Sequence, residues 1–294
     1  MKTLKLMKHL NSYTKRYYST QNLDKKIVVE KLGTITTIGI NRPEKRNSLD
    51  SQTLVQLSNE VEVFENDKSA YVAVLYGIGG NFCSGYDLNE IAVSKENAES
   101  FFKTISNVNL TRRFIRKPLV AAISGYAVGS GMELALMCDL RVMEDTAVLG
   151  FLNRRFGIPT LDGGTVRLSS MVGLPYALDL LLTGRGVTGK EALERGLTTR
   201  LVACGTSLGQ AINLASSVNK YSQLSLNTDR KSMYYSIFEA KSLDDAMNFE
   251  KINSISDDII SESVDGARRF LSGVGKHGKF YNIIEKEKKI EHQF

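Results

Sequence analysis

A glutamate inside an apolar run and two glycine-rich loops are the features of this 294-residue sequence that could do chemistry. Glu133 lies in Met132-Glu133-Leu134-Ala135-Leu136-Met137, one turn into a helix that is apolar on most sides. A carboxylate placed there is partly desolvated, which raises its pKa toward the range of a general acid or base at neutral pH. The same position also suits a first-turn acid that merely complements the helix dipole. The first loop reads Gly79-Gly80-Asn81-Phe82-Cys83-Ser84-Gly85-Tyr86-Asp87, and the second Gly125-Tyr126-Ala127-Val128-Gly129-Ser130-Gly131-Met132-Glu133. Glycine permits the backbone turns that aim N–H groups at a ligand. The second loop feeds directly into the Glu133 helix, whose first N–H groups lack intrahelical acceptors and suit an anion or a developing oxyanion. One such donor is worth ~3 kcal/mol of barrier. Either loop alone is equally a tight turn; two of them beside buried strands point to a site.

Those loops need rigid elements on either side. Ile27–Leu32 and 34–40 are β-branched runs hinged at Gly33, the pattern of a hairpin. Asn41-Arg42-Pro43 breaks it, and Asp50 is placed to cap an amphipathic helix to about residue 65. Residues 71–76 form a short buried strand that delivers the first loop, and residues 119–123 a second that delivers the other. A polar helix is expected over 96–115, and short strands over 140–143 and 147–149. From Asp162 onward the pattern is helical almost to the end. Alternating strands and helices up to about residue 150 imply an α/β fold with parallel pairing through crossover units. The composition shifts near residue 220, after which the chain is polar and charged with apolar anchors at helical spacing. Residues 21–220 are therefore assigned to a core carrying the site, and 221–294 to a helical region.

Composition removes other classes. Cys83, Cys138 and Cys204 show no CxxC spacing, and only three histidines are present, so neither a disulfide framework nor a His-based metal centre is supported. No GxGxxG follows an early strand with an acid about 20 residues later, which excludes the dinucleotide fingerprint. The formal net charge is +6, from 38 basic and 32 acidic residues. Lys2, Lys5, Lys8, Lys15 and Arg16 all precede the first acid, Asp24. An acid-free, basic, hydroxyl-rich segment is the profile of a mitochondrial transit peptide, here residues 1–20, with Arg16-Tyr17-Tyr18-Ser19 as the cleavage region. A basic tail without an address is the alternative. No run approaches about 18 apolar residues, so no membrane span is expected. With those five charges set aside, residues 24–294 keep only +1 of the +6, too little for a general nucleic-acid binder.

Several separated motifs, in order, resemble the enoyl-CoA hydratase/isomerase (crotonase) superfamily. They are Asn41-Arg42-Pro43, the loop Phe82-Cys83-Ser84-Gly85-Tyr86-Asp87-Leu88, the stretch Lys117 to Ala135, Cys138-Asp139, Gly157-Ile158-Pro159, Gly163-Gly164-Thr165-Val166-Arg167-Leu168 and Leu182-Thr183-Gly184-Arg185. The resemblance covers about residues 27–275. It implies a spiral of repeated ββα units followed by a C-terminal helical region that drives trimerisation, often as a dimer of trimers. It also implies an acyl-CoA thioester substrate with no separate cofactor, coenzyme A being part of the substrate; with the transit profile of residues 1–20, acyl catabolism in the mitochondrial matrix is expected. By position it implies an oxyanion hole of the Tyr86 and Ser130 N–H groups and Glu133 as catalytic acid/base. Lys45, Arg46 and Ser48 would lie against the adenine end of coenzyme A, with Ser84, Gly85, Asp87 and Tyr126 beside the loops.

Hydratases of the family carry a second glutamate 20 residues after the first, and here that position is Asn153. An amide holds a water but cannot exchange its proton. Asp162, three residues before Thr165, resembles the acid that dienoyl-CoA isomerase-type members place near this turn; its spacing also fits an N-cap of the helix through Val166 and Leu168. Arg154 and Arg155 either pair with Asp162 or face solvent. Hydration of 2-enoyl-CoA is the leading expectation. A double-bond isomerase using Glu133 and Asp162 is the runner-up, and a weakly active binding protein, including for RNA, is the third.

Overall fold

The computed structural model describes residues 25–276. The transit sequence expected over 1–20 lies outside the described residues. Two compact units divide the chain, Met1–Ser216 and Ser217–Phe294.

The first unit is built on two sheets. Strand β1 (Ile27–Leu32) pairs antiparallel with β2 (Ile35–Ile40), as the Gly33 hinge requires. β2 then runs parallel to β3 (Val72–Gly77), β3 to β4 (Leu119–Ile123), β4 to β6 (Leu140–Glu144) and β6 to β9 (Arg200–Val202), giving the order β1-β2-β3-β4-β6-β9. The smaller sheet joins β5 (Tyr126–Val128), β7 (Val148–Gly150) and β8 (Gly186–Thr188). β2 and β4 are buried along their whole length, which is why they read as continuous apolar or β-branched runs.

The helices of this unit are α1 (Ser51–Asn66), α2 (Leu88–Ile91), α3 (Lys95–Val108), α4 (Ser130–Met137), α5 (Gly164–Val172), α6 (Leu174–Thr183) and α7 (Gly189–Glu194), with α8 (Ser207–Val218) ending two residues past the division. α1 starts where Asp50 accepts the Thr53 N–H at 2.8 Å. All eight residues of α4 are buried, so the apolar helix is internal.

Two expectations about elements need correction. The polar helix expected to reach residue 115 stops at Val108, because Asn109 turns left-handed (φ 49°) and closes the helix onto Ile105. The segment after it is irregular and held by cations. The Lys117 ammonium donates to the carbonyls of Phe64, Asp67 and Ala70 at 2.6–3.0 Å, and Arg113 and Arg116 bind Glu65. The region after Asp162 is not uniformly helical either. β8 and β9 are three residues each, too short to show a period, and exist because β7 and β6 offer them free edges.

The second unit contains α9 (Gln223–Phe238), α10 (Leu243–Ser254) and α11 (Asp257–Leu271), each capped by a serine that accepts an N–H of the first turn. Tyr235 stacks on Phe249 at 3.8 Å between centroids, and Asn253 donates to Thr228 O and Ser232 Oγ, joining α9 to α10.

Candidate active site

The two glycine-rich loops follow β3 and β4, adjacent parallel strands, so they emerge at the same end of the sheet. Backbone bonds then stitch them together. The Phe82 N–H donates to Ser124 O at 2.8 Å, Cys83 N–H to Tyr126 O at 2.9 Å, and Val128 N–H to Cys83 O at 3.0 Å. Gly85 has φ +95°, and a Cβ there would stand 3.0 Å from Val128 O and 3.5 Å from Ser130 N. The first loop thus presses directly against the start of α4. Ser130 is the first residue of that helix, so its amide has no intrahelical acceptor. Neither the Tyr86 nor the Ser130 N–H donates to any group among the described residues. Both residues line one cavity of about 440 Å3, together with Glu133.

Glu133 is 1% exposed. Its Oε1 accepts the Asp162 N–H at 2.7 Å and the Gly164 N–H at 2.9 Å, so the carboxyl receives the free amides at the start of α5. Burial, and then the Asp162 carboxyl, push its pKa from the usual 4.5 up to about 7, against the pull of the Gly164, Asp162 and Leu161 amides. With Oε1 engaged by two amides, proton exchange in the cavity falls to Oε2.

Asp162 does not cap α5. Gly163, at φ +82°, holds the cap position with no side-chain bond. The buried Asp162 carboxyl instead accepts the Tyr86 hydroxyl at 2.5 Å, and Asp162 is absent from the cavity lining.

Of the other residues singled out from the sequence, Arg46, Ser84, Gly85, Tyr126 and Asn153 line the cavity. The Arg46 guanidinium sits 5.9 Å from the Tyr126 ring centroid, and Ser84 Oγ donates to Lys45 O at 3.3 Å. Lys45 is exposed beside the cavity rim residues but does not line it. Ser48 and Asp87 are buried around Arg42 and lie outside the lining. Arg42 Nη2 meets Asp87 at 2.8 Å and Asp50 at 3.2 Å, while Nη1 donates to Ser48 O at 2.5 Å and Ser48 Oγ at 3.2 Å. Burial would raise the Asp87 pKa, yet the Arg42 and Asn89 bonds hold it below the usual carboxylate range. Ser48 and Asp87 thus fix the loops rather than face a ligand.

Asn153 Nδ2 donates to Ile158 O at 2.8 Å, while its buried Oδ1 has no partner among the described residues. Arg154 donates to Leu181 O, and neither it nor Arg155 pairs with Asp162; Arg155 lines the cavity beside Phe156 and Pro159. Sequence reasoning missed Arg42 as an anchor, and the apolar wall of Leu88, Leu152, Phe156 and Pro159. Proximity to the Asn153 segment was the available signal for three of those four.

Among the described residues no three His, Cys, Asp or Glu side chains cluster as a metal site. No helix among them is long and apolar enough to cross a membrane.

The sequence profile described as enoyl-CoA hydratase/isomerase matches residues 30–268. The chain belongs to this family. It is 34% identical over 207 residues to the 2,3-dehydroadipyl-CoA hydratase of Escherichia coli K12, covering 70% of this chain and 81% of that one. It is 33% identical over 198 residues to a probable mitochondrial enoyl-CoA hydratase of Dictyostelium discoideum, covering 67% and 71% of the two chains. The crystal structure of an enoyl-CoA hydratase from Bacillus anthracis superposes with a TM-score of 0.78 at 27% identity, covering 84% of this chain and 96% of that one. The fold is that of the enoyl-CoA hydratases, and the protein is an enzyme of the hydratase/isomerase type. Asn153 and Arg155 bring polar side chains to a cavity lining that also holds Leu88 and Phe156.

Proposed function

We propose that the protein adds water across the double bond of 2-enoyl-CoA thioesters. The observation that carries this is the convergence in one cavity of two uncommitted backbone amides, from Tyr86 and Ser130, and one carboxyl poised near neutral pH, Glu133. Arg46 and Tyr126 at the rim offer a cation and a ring face to the nucleotide end of coenzyme A.

The steps balance with a single acid/base group. Water gives a proton to Glu133 Oε2 as its oxygen bonds to Cβ. The π electrons move through Cα to the thioester oxygen, where the Tyr86 and Ser130 N–H groups hold the negative charge. The enolate then collapses, and Cα takes the proton back from Glu133. A group with a pKa of about 7 both accepts and returns a proton without a large energy step. Asn153 offers Oδ1 as an acceptor for the water, and no proton exchange is asked of it.

A second reading has one specific support: Glu133 is the single carboxyl lining the cavity. One carboxyl suffices to carry a proton between Cα and Cγ, which is double-bond isomerisation without water. Asp162, behind Glu133, gives that reading no second acid in contact with substrate.

Incubation of residues 21–294 with crotonyl-CoA and longer 2-enoyl-CoA esters distinguishes the two. Hydration removes the conjugated thioester absorbance, and 3-enoyl-CoA substrates would instead gain it through isomerisation. Glu133→Gln should lower either activity by at least ~100-fold. No change of absorbance at any chain length would sink the hydratase reading.

Mitochondrial matrix location and a trimeric assembly are part of the same proposal. The acid-free basic residues 1–23 support the first, together with relatives whose names include mitochondrial, although other relatives are bacterial.

A further inference from the structure

Tyr86 lines the cavity and also reaches a buried acid. Its side chain packs edge-on against Phe101 at 5.3 Å and ends on Asp162 Oδ2 at 2.5 Å. Asp162 in turn places its own N–H on Glu133 Oε1 at 2.7 Å. The three residues come from three separate segments: the first loop, the turn before α5, and the first turn of α4.

We propose that the Tyr86 hydroxyl and Asp162 form a positioning relay that holds in one place the Asp162 carboxyl and the turn that donates to Glu133, and so sets how readily Glu133 exchanges its proton. Two carboxyl groups share this pocket of the core, and only Glu133 reaches the cavity. A phenol can only donate to a carboxylate, so the Tyr86 hydrogen bond ties the Asp162 carboxyl to the first loop. Burial and Asp162 drive the Tyr86 phenol far above its ordinary value, so it remains a donor at every working pH. After burial, the Asp162 carboxyl held there is the next cause that raises the Glu133 pKa to about 7.

The other polar groups around the pair reinforce this positioning. Arg167 Nη1 donates to the Asp162 carbonyl at 3.1 Å, and Arg112 donates through Nε and Nη2 to Leu161 O at 3.0 and 2.7 Å. Both cations are tied to carbonyls of the turn, so they fix its backbone. From α4, the residues flanking Glu133 are apolar. From α5, the facing group is the Gly164 amide, already counted among the Glu133 bonds. Gly164 itself allows that approach, since a Cβ there would stand 2.8 Å from Glu133 Cγ.

The relay deepens the hydratase reading and rests on it for kinetics alone; a direct titration is independent of any activity. Chain labelled with 13C at the glutamate carboxyl carbons is titrated by NMR, with the Glu133 signal assigned by its loss in Glu133→Gln. The wild-type midpoint is expected near 7. Asp162→Asn keeps the backbone N–H and still accepts from Tyr86 but carries no charge. Its Glu133 midpoint should fall by about one pH unit or more. Tyr86→Phe removes the donor and keeps the ring, so the Asp162 carboxyl is no longer held in place and the Glu133 midpoint should fall as well. The ionisation seen in the kcat profile of an active enzyme should move with it, while KM changes little. Folded variants with an unmoved Glu133 midpoint would overturn the relay, whatever the activity. If Tyr86→Phe does not fold, Asp162→Asn alone decides.

Discussion

Glu133 is an expensive residue to keep. In the folded chain it holds its proton to about pH 7, whereas an unperturbed carboxyl loses it near 4.5. The folded state therefore binds more protons than the unfolded state between those values. Stability is fully present below pH 4.5 and falls as pH rises through 7. The whole difference corresponds to at most roughly 3 kcal/mol. Glu133→Gln keeps an acceptor for the Asp162 and Gly164 amides but has no charge to bury. Urea unfolding of wild type and variant at pH 5 and pH 8 should show the variant gaining on wild type at the higher pH. Equal pH dependence in both would refute the burial argument. Such a gain in stability with loss of activity is what a functional carboxyl predicts and a structural one does not. The sequence already showed Glu133 in apolar company, because its neighbours on the helix are its neighbours in the chain. Asp162 was not legible in the same way. Its partner Tyr86 lies 76 residues away, and local spacing suggested a helix cap that Gly163 actually supplies.

At the level of elements, the oxyanion hole depends on how closely α4 approaches the first loop. Gly131 sets that distance, since a Cβ there would stand 2.2 Å from Cys83 O and 2.8 Å from Cys83 C. Both are backbone atoms, pinned by the bonds from Cys83 to Tyr126 and Val128. Gly131→Ala must therefore push the helix away from the loop and part the Tyr86 and Ser130 amides. We expect kcat to fall by roughly 100-fold or more, the loss of an oxyanion donor, with a smaller change in KM. Unfolding should show a loss of about 1–3 kcal/mol from overpacking. Unchanged kcat in a folded variant would show that the amides are not the operative donors. The elements flanking this approach were readable: β3, β4 and α4 are long apolar runs whose burial does not depend on distant partners. β8 and β9 were not, because three residues carry no period and acquire strand form from their neighbours. The shortened α3 follows the same logic, with Asn109 able to leave the helix and four downstream cations drawn to carbonyls and to Glu65.

For the molecule as a whole, the decisive quantity is where the charge lies. Five of the six net positive charges precede Asp24, and residues 24–294 carry the remaining +1. A body so near neutrality does not attract polyanions at long range, so its recognition of an anionic ester must be local. Arg46 at the cavity rim and Arg155 in its lining are the cations placed to do this. The import proposal gives the N-terminal charges a role apart from catalysis. A fluorescent reporter carrying residues 1–23 should collect in mitochondria, and the same reporter with Lys2, Lys5, Lys8, Lys15 and Arg16 changed to Gln should not. Full-length chain and residues 21–294 should meanwhile share the same kcat and KM for a 2-enoyl-CoA. A native-sequence reporter left in the cytosol would remove the import reading. A KM that rose on truncation would instead place those five charges at the substrate, and the division between a removable basic segment and a neutral enzyme would fail.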